Sequence, residues 1–538
     1  MEPTPSQKMF AKFLNKTNTM SAGPPTYLGI DLGTSEIKLL LLSSKNEVIG
    51  TVSKSLEISR PHPHWSEQNP QDWWDATIKA IIQLRVAHGN EFRQISAIGL
   101  SGQMHGAVLI GKDGAILRPA ILWNDTRSGK ECEELTEKAK NLHKIAGNLA
   151  MPGFTAPKLL WIAKNEPEIF ERIDCIMLPK DYLRFRLTGE KVTDVSDAAG
   201  TLWLDAGKRQ WSEELLAAYV SDAAGTLWLD VEKRQWSEEL LAACGLNISQ
   251  MPKLIEGNEN SGTIFELIAI QFGISNNVIV AGGGGDNAVS AIGIGAVEPG
   301  DGFISLGTSG VLCIIDDGFH PCPESAVHSF CHAIPNRWLQ MSVMLSAASC
   351  LRWICTLTST TEEQLLQEVE SLSLKQLETA PLFLPYLSGE RTPHNDPEAK
   401  GIFFGITHDS NRAILGYSVL EGVTMGLMDG NDLLDKCGTK AKTLSLLGGG
   451  ARSSFWAQLI ADAINVKIQR HKNSNAGGAL GAARLGWLAA EGDSKDVLQK
   501  LPLQDEFSPN QERHTILKKR FEKFRQLYQL LKPLKLDV

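Results

Sequence analysis

One tetrapeptide occurs twice in this chain, in the same setting each time. Leu32-Gly33-Thr34-Ser35 lies between the apolar runs YLGID and EIKLLLLS, and Leu306-Gly307-Thr308-Ser309 lies between GDGFIS and GVLCIID. Small turn residues between two β-prone runs predict a hairpin. EVIGTVS extends the first hairpin into a meander. Because turn, flanks and position near the start of each half all match, the chain is expected to hold two α/β domains, about 27–277 and 278–525. Helices are expected between the strands of both. Asn69 caps and Pro70 opens NPQDWWDATIKAII, and Ser453 precedes FWAQLIADAI.

At 538 residues the chain exceeds what one core usually serves. Its composition, 43% apolar and 21% charged with no apolar run long enough to span a bilayer, is that of a soluble globular protein. A net charge of −9 argues against nucleic acid as a partner, since phosphate-backbone binders usually carry a basic face. The nine cysteines include no C-x-x-C pair and read as reduced thiols of a cytoplasmic protein. Cys313, Cys322 and Cys331 stand near His328 and His332, but their spacings match no standard zinc pattern. Residues 1–26, polar and proline-punctuated, are expected to be a disordered extension. Leu517, Phe521, Phe524, Tyr528 and Leu531 fall at helical spacing among lysines and arginines, which predicts a terminal helix docked on its own domain, with 526–538 its end and tail.

A second repeat is of another kind. VSDAAGTLWLDAGKRQWSEELLAAY (195–219) is followed at once by VSDAAGTLWLDVEKRQWSEELLAAC (220–244), differing only at Ala206/Val231, Gly207/Glu232 and Tyr219/Cys244. Both copies cannot fill one slot in a sheet. One is expected to pack natively and the other to be extruded as an insertion, which loops tolerate better than cores.

The chemistry begins at the turns. Backbone N–H groups in a Gly-Thr-Ser turn form an anion-binding concavity, and the hydroxyls add donors. Two such turns, one per domain, suggest a polyphosphate clamped between facing hairpins. Asp31, beside the first turn, either holds Mg²⁺ through water or merely closes the turn. A glycine cluster in LSLLGGGARSSFWAQLIADA (444–463) again leads from strand to helix, an arrangement that brings a nucleotide against bare backbone. In VIVAGGGGDNAVSAIG (278–293) four glycines precede Asp286, which has two readings: the cap of the following helix, or the carboxylate that accepts a proton from an attacking hydroxyl. Gly106–Asp113 nearly spells a Walker A loop but lacks its Ser/Thr, and Gly283, Gly285 and Ala288 fit a dinucleotide fingerprint only loosely. Neither is retained.

These segments, with SGQMHG (101–106), WNDTR (123–127), MPGFTAPK (151–158), LPKDY (178–182), AVHSFCHA (326–333) and LPYLSGERTPH (384–394), resemble the FGGY carbohydrate kinases, in particular those that phosphorylate D-xylulose. The resemblance runs from Tyr27 to the C-terminal helix. It implies two ribonuclease-H-like domains of the actin and hexokinase type with a cleft between them. It also implies ATP-dependent phosphorylation of D-xylulose to D-xylulose 5-phosphate, a requirement for Mg²⁺, and a homodimer. Carried over residue by residue, the catalytic base falls on Asp286 and the first-strand carboxylate on Asp31, while Met104, His105 and Asn287 contact the sugar. Nucleotide contacts fall on Gly33, Thr34, Ser35, Lys38, Gly307, Thr308, Gly449, Gly450 and Ser454. This chain departs from the family pattern at Glu36, where a glycine is common, in one extra glycine before Asp286, and in the tandem. Alternatives are an FGGY kinase for another ketose or polyol, or a nucleotide-binding relic inactivated by the duplication.

Overall fold

The computed structural model describes residues 23–212, 214–215, 248–472, 474, 477–491 and 493–534. Nearly all of the expected N-terminal extension, and the whole of the second tandem copy, lie outside them.

The first apolar run is buried on both faces. In β1, Thr26–Leu32, only Asp31 is partly open. Gly33 N–H donates to Glu36 O at 2.9 Å, turning the chain into the antiparallel β2, Glu36–Ser43, with Asp31 opposite Lys38. Strand β3, Val48–Ser55, completes the meander. On the other side of β1, β4 (Ile95–Gly102) and then β6 (Ile279–Ala281) add in parallel, and β5 (Asn260–Thr263) closes that edge.

The second sheet repeats this plan. Strands β7 (Asp301–Leu306) and β8 (Gly310–Asp316) form a hairpin about Gly307–Ser309, and β10 (Trp338–Met344) runs antiparallel to β8, with β9 (His328–Cys331) outside it. Strands β11 (Thr443–Leu447) and β12 (Lys467–His471) add in parallel beyond β7, and β13 (Leu503–Phe507) ends the sheet. The order β3-β2-β1-β4-β6 thus matches β10-β8-β7-β11-β12 in both neighbours and directions. The duplication read from one tetrapeptide is a property of the fold.

The chain does not change lobes where the glycine run begins. Strand β6, expected to open the second domain at 278, is hydrogen-bonded in the first sheet, and Gly284–Gly285 pairs there with β4. A parallel neighbour for β4 requires a crossover connection, so the slot is filled by an apolar strand that arrives late in the sequence.

Expected caps are present. Asn69 accepts from Gln71 N–H at the start of α1, Pro70–Ala87. Helix α2, Asp286–Ile294, packs in the layer between the two sheets. The long α3, Arg412–Lys436, belongs to the second lobe, where Ser453 caps α4, Ser454–Ile464. Helix α5, Gly477–Glu491, comes from the second half of the sequence yet packs on β1 and β4, beside α2. Helix α6, Gln511–Leu531, docks as expected through buried Phe521 and Phe524, with Arg520 and Arg525 paired to Glu421 and Asp429 of α3.

One expectation about the thiols is corrected. Cys322 and Cys437 form a disulfide, Cα to Cα 6.1 Å, which joins the loop after β8 to the end of α3. A sequence separation of 115 residues concealed the pairing. Among the described residues no His, Cys, Asp and Glu side chains cluster in threes to hold a metal, and no helix is long and apolar enough to cross a membrane.

Candidate active site

The glycine run ends in a carboxylate that faces a cavity shared by the two lobes. Gly283 has φ +73°, and a Cβ there would lie 2.4 Å from Leu100 O, so the chain can pass this close to β4 only as glycine. Gly285, not Asp286, is the helix cap, and Asp286 is the first residue of α2. Its Oδ1 accepts from the Asn287 N–H at 2.8 Å and from Asn287 Nδ2 at 3.0 Å. Among the described residues Oδ2 has no hydrogen-bond partner, and Asp286 lines a cavity of ≈ 280 Å³. Burial raises the Asp286 carboxyl to about 7, the nearby Asp31 adds to the rise, and the Asn287 N–H opposes it. Asp31 is itself raised by burial, against the lowering effects of Ser101 and Lys38.

Met104 and His105 form another wall. A Cβ at Gly285 would lie 2.8 Å from Met104 Sδ, so the thioether packs directly against the glycine run. His105 adopts φ +67°, a conformation that costs a non-glycine residue on the order of 1–3 kcal/mol and that recurs at functional sites. Its carbonyl accepts from Lys158 Nζ at 2.8 Å and Thr155 Oγ1 at 3.2 Å, which holds the strained residue in place. Its ring donates from Nδ1 to Gly200 O at 2.7 Å, which leaves Nε2 as an acceptor. Burial, then the charge of Lys158, lowers the ring's pKa to about 3, so it is neutral.

Gly200 belongs to the first tandem copy. So does Ser196, whose Oγ accepts from Gly285 N–H at 3.1 Å. Below them Lys180 is fully buried among Asp181, Asp194 and Asp197. The first copy therefore supports the cavity's walls from behind, through His105 and the glycine run before Asp286.

The second predicted turn borders this space through Ser309, and the first is tied to it through Trp123, which lines the cavity and donates from Nε1 to Thr34 Oγ1 at 2.9 Å. In the second turn the carbonyls of Gly307 and Thr308 accept from Ala348 and Ala347. Among the described residues the N–H groups of Thr34, Ser35, Thr308 and Ser309 have no acceptor. Gly449 and Gly450 lie beside the second turn. A Cβ at Gly450 would lie 2.9 Å from Leu306 Cβ, and one at Gly449 would meet nothing within 4 Å. Glu36 is paired with Lys38 at 3.1 Å, so the extra charge is offset where it arises. Ser454 stands apart from the cavity lining, its Oγ accepting from Arg470 Nη2 at 2.9 Å.

Reading the sequence residue by residue missed a wall that the second lobe supplies. His328, Phe330 and Arg391 line the cavity opposite Met104 and His105. His328 and Phe330 sit on β9 with their rings stacked at 5.7 Å. Their motifs carried the family resemblance, but nothing in the spacing tied residues 328 and 391 to residue 105.

The comparisons agree with this geometry. The N-terminal domain of the FGGY family of carbohydrate kinases matches residues 26–220 and 217–293, breaking at the tandem, and its C-terminal domain matches 302–490. A xylulose kinase of Escherichia coli is 47% identical over 510 residues, covering 94% of this chain and 99% of the relative. One of Staphylococcus epidermidis is 34% identical over 95% of this chain and 98% of its own length. The crystal structure of a xylulose kinase from Brucella ovis superposes with TM-score 0.86 at 45% identity, covering 95% of this chain and all of that one. Two domain matches, one on each side of the cleft that Asp286 faces, account for both lobes: the chain belongs to the FGGY family of carbohydrate kinases.

Proposed function

We propose that the protein transfers the γ-phosphoryl group of ATP to the terminal hydroxyl of D-xylulose, giving D-xylulose 5-phosphate and ADP. The observation that carries the reading is the Oδ2 of Asp286, without a hydrogen-bond partner among the described residues, in a cavity walled by both lobes. The named activity of relatives 47% and 34% identical over nearly the whole chain supports the choice of sugar. Met104, His105 and Asn287, which line the cavity, would hold the sugar, His105 as a neutral acceptor for a hydroxyl. The turns at Gly33–Ser35 and Gly307–Ser309, with Gly449 and Gly450, would grip the phosphates through backbone N–H groups.

Asp286 orients the hydroxyl and takes its proton as the oxygen bonds to the γ-phosphorus and the bond from phosphorus to the ADP oxygen breaks. Asn287 keeps Oδ1 occupied, which leaves Oδ2 for this role. Asp31 fits a Mg²⁺ bound through water. It is a partly open carboxylate close to that of Asp286, and Mg²⁺ takes one or two carboxylates and the phosphates, not an all-protein cage. When bound, the ion neutralises charge on the transferring group.

A coupled ADP-release assay with D-xylulose against other ketoses, glycerol and gluconate tests the proposal. Release driven best by D-xylulose is expected, and ATP binding with no sugar-dependent release would sink it. A pH profile tests the base. Asp286 accepts a proton only when ionised. With its pKa near 7 the ionised fraction, and kcat/KM for the sugar, falls about tenfold between pH 8 and pH 6. An ordinary aspartate at roughly 3.9 would leave that range flat.

Deletion of residues 220–244 is also expected to be tolerated. Gly200 and Ser196 of the first copy already make the contacts to His105 and Gly285. kcat/KM within about threefold of the full chain is the expected result, by analogy with other loop deletions. A loss of tenfold or more would assign a catalytic contribution to the second copy.

A further inference from the structure

The cavity contains one cation from the second lobe that the mechanism above does not use. Arg391 is half-buried and lines the cavity. Among the described residues its guanidinium has neither a hydrogen-bond nor an ion-pair partner. Its backbone is firmly held. Thr392 N–H donates to Val343 O at 3.0 Å, Thr392 Oγ1 accepts from Val343 N–H at 3.2 Å and donates to Ala326 O at 2.8 Å, and Glu390 Oε1 accepts from Leu345 N–H at 3.0 Å. The segment is thus clamped to β10, which fixes the point on the wall from which the Arg391 side chain extends.

Arg391 shares the cavity lining with His105 and His328. Its charge adds to the burial that lowers the pKa of both rings. The adjacent Glu390, whose carboxyl burial pushes up to about 8, makes no side-chain ion pair with it among the described residues, its Oε1 accepting instead from the N–H groups of Leu345 and Arg391.

The polar groups that share the lining with Arg391 are complementary to it. His105 spends Nδ1 on Gly200 O, and His328 spends Nδ1 on Asn148 Oδ1 at 3.1 Å. Each ring is left with Nε2, an acceptor suited to a sugar hydroxyl. A ketose also carries a carbonyl oxygen, which can only accept. Guanidinium is a donor only, in a fixed fork.

We propose that Arg391 donates to the ketone oxygen of the sugar and to the hydroxyl beside it, so that the second lobe takes part in selecting a ketose over a polyol. The inference rests on the D-xylulose reading and adds to it the residue that reads the carbonyl. A donor left unpaired by the wrong substrate is a strong source of selectivity.

The test uses full-length Arg391→Met and Arg391→Lys with D-xylulose and with xylitol, its C2-reduced counterpart, in the ADP-release assay. In Arg391→Met the KM for D-xylulose is expected to rise roughly 10–100-fold, the range for losing a hydrogen bond to a charged group. The KM for ATP should stay within about twofold, and the preference for ketose over polyol should fall about tenfold or more. Arg391→Lys, which keeps the charge but not the fork, should lie between. If Arg391→Met folds poorly, the lysine variant carries the same ratio test.

An unchanged ketose KM, or equal losses with ketose and polyol, overturns the proposal. A parallel rise in the KM for ATP overturns it too, and would place the cation on the phosphates. Wild-type protein inert toward D-xylulose would instead remove the functional reading on which it rests, and that arm is measured separately.

Discussion

Replacing Asp286 with asparagine is expected to lower sugar-dependent ADP release by two to four orders of magnitude, the usual range for losing a positioned general base. Asparagine preserves size and can still take the Asn287 N–H bond, so α2 should start where it does now. What it cannot do is receive a proton at Oδ2. ATP affinity, measured by titration calorimetry, should change by less than about threefold, because the turns proposed to hold the phosphates lie elsewhere. The variant should also lose the acid limb of the pH profile assigned to this group. A comparable fall in ATP affinity would make Asp286 a structural residue and remove the basis of the proposed chemistry.

The second large effect concerns stability. Gly99→Val is expected to destabilise the protein by more than ~4 kcal/mol and to abolish soluble expression or lower the thermal midpoint sharply. Gly99 on β4 faces α5, and a Cβ there would lie 1.7 Å from Ala482 O. Gly29 on β1 has the same relation to Ala479 O, at 1.9 Å. The obstacle is helix backbone, which cannot rotate away as a flexible side chain would. Relief requires moving α5, and with it α2, whose Gly293 closes on Gly477 with similarly little room. Gly129→Ala is the control. A Cβ there meets nothing within 4 Å and the residue lies in a helix, so a gain of about 0.4–1 kcal/mol is expected. Equal midpoints for Gly99→Val and wild type would show that the helix layer is softer than its packing implies.

The duplicated architecture was legible because its signal is local. Turn residues and strand runs are read within a dozen positions, and two copies of Leu-Gly-Thr-Ser sufficed to pair the lobes. The caps at Asn69 and Ser453 and the terminal helix were legible for the same reason. The role of the four glycines before Asp286 was legible only in part. Sequence showed that something passes close there, but the neighbours proved to be the protein's own Leu100 and Met104 as well as the cavity.

The sequence by itself determined two like lobes, their Gly-Thr-Ser hairpin turns and a carboxylate at the mouth of a helix, because each is encoded by neighbours along the chain and by φ values that only certain residues adopt. Tertiary structure alone decided that β6 and α5 cross to the first lobe, that Cys322 meets Cys437, that Gly200 of the first tandem copy sets the tautomer of His105, and that His328 and Arg391 face His105 across the cleft. Those contacts join residues from tens to hundreds of positions apart. Their distances follow from how whole sheets and helices pack, and no local propensity carries that information.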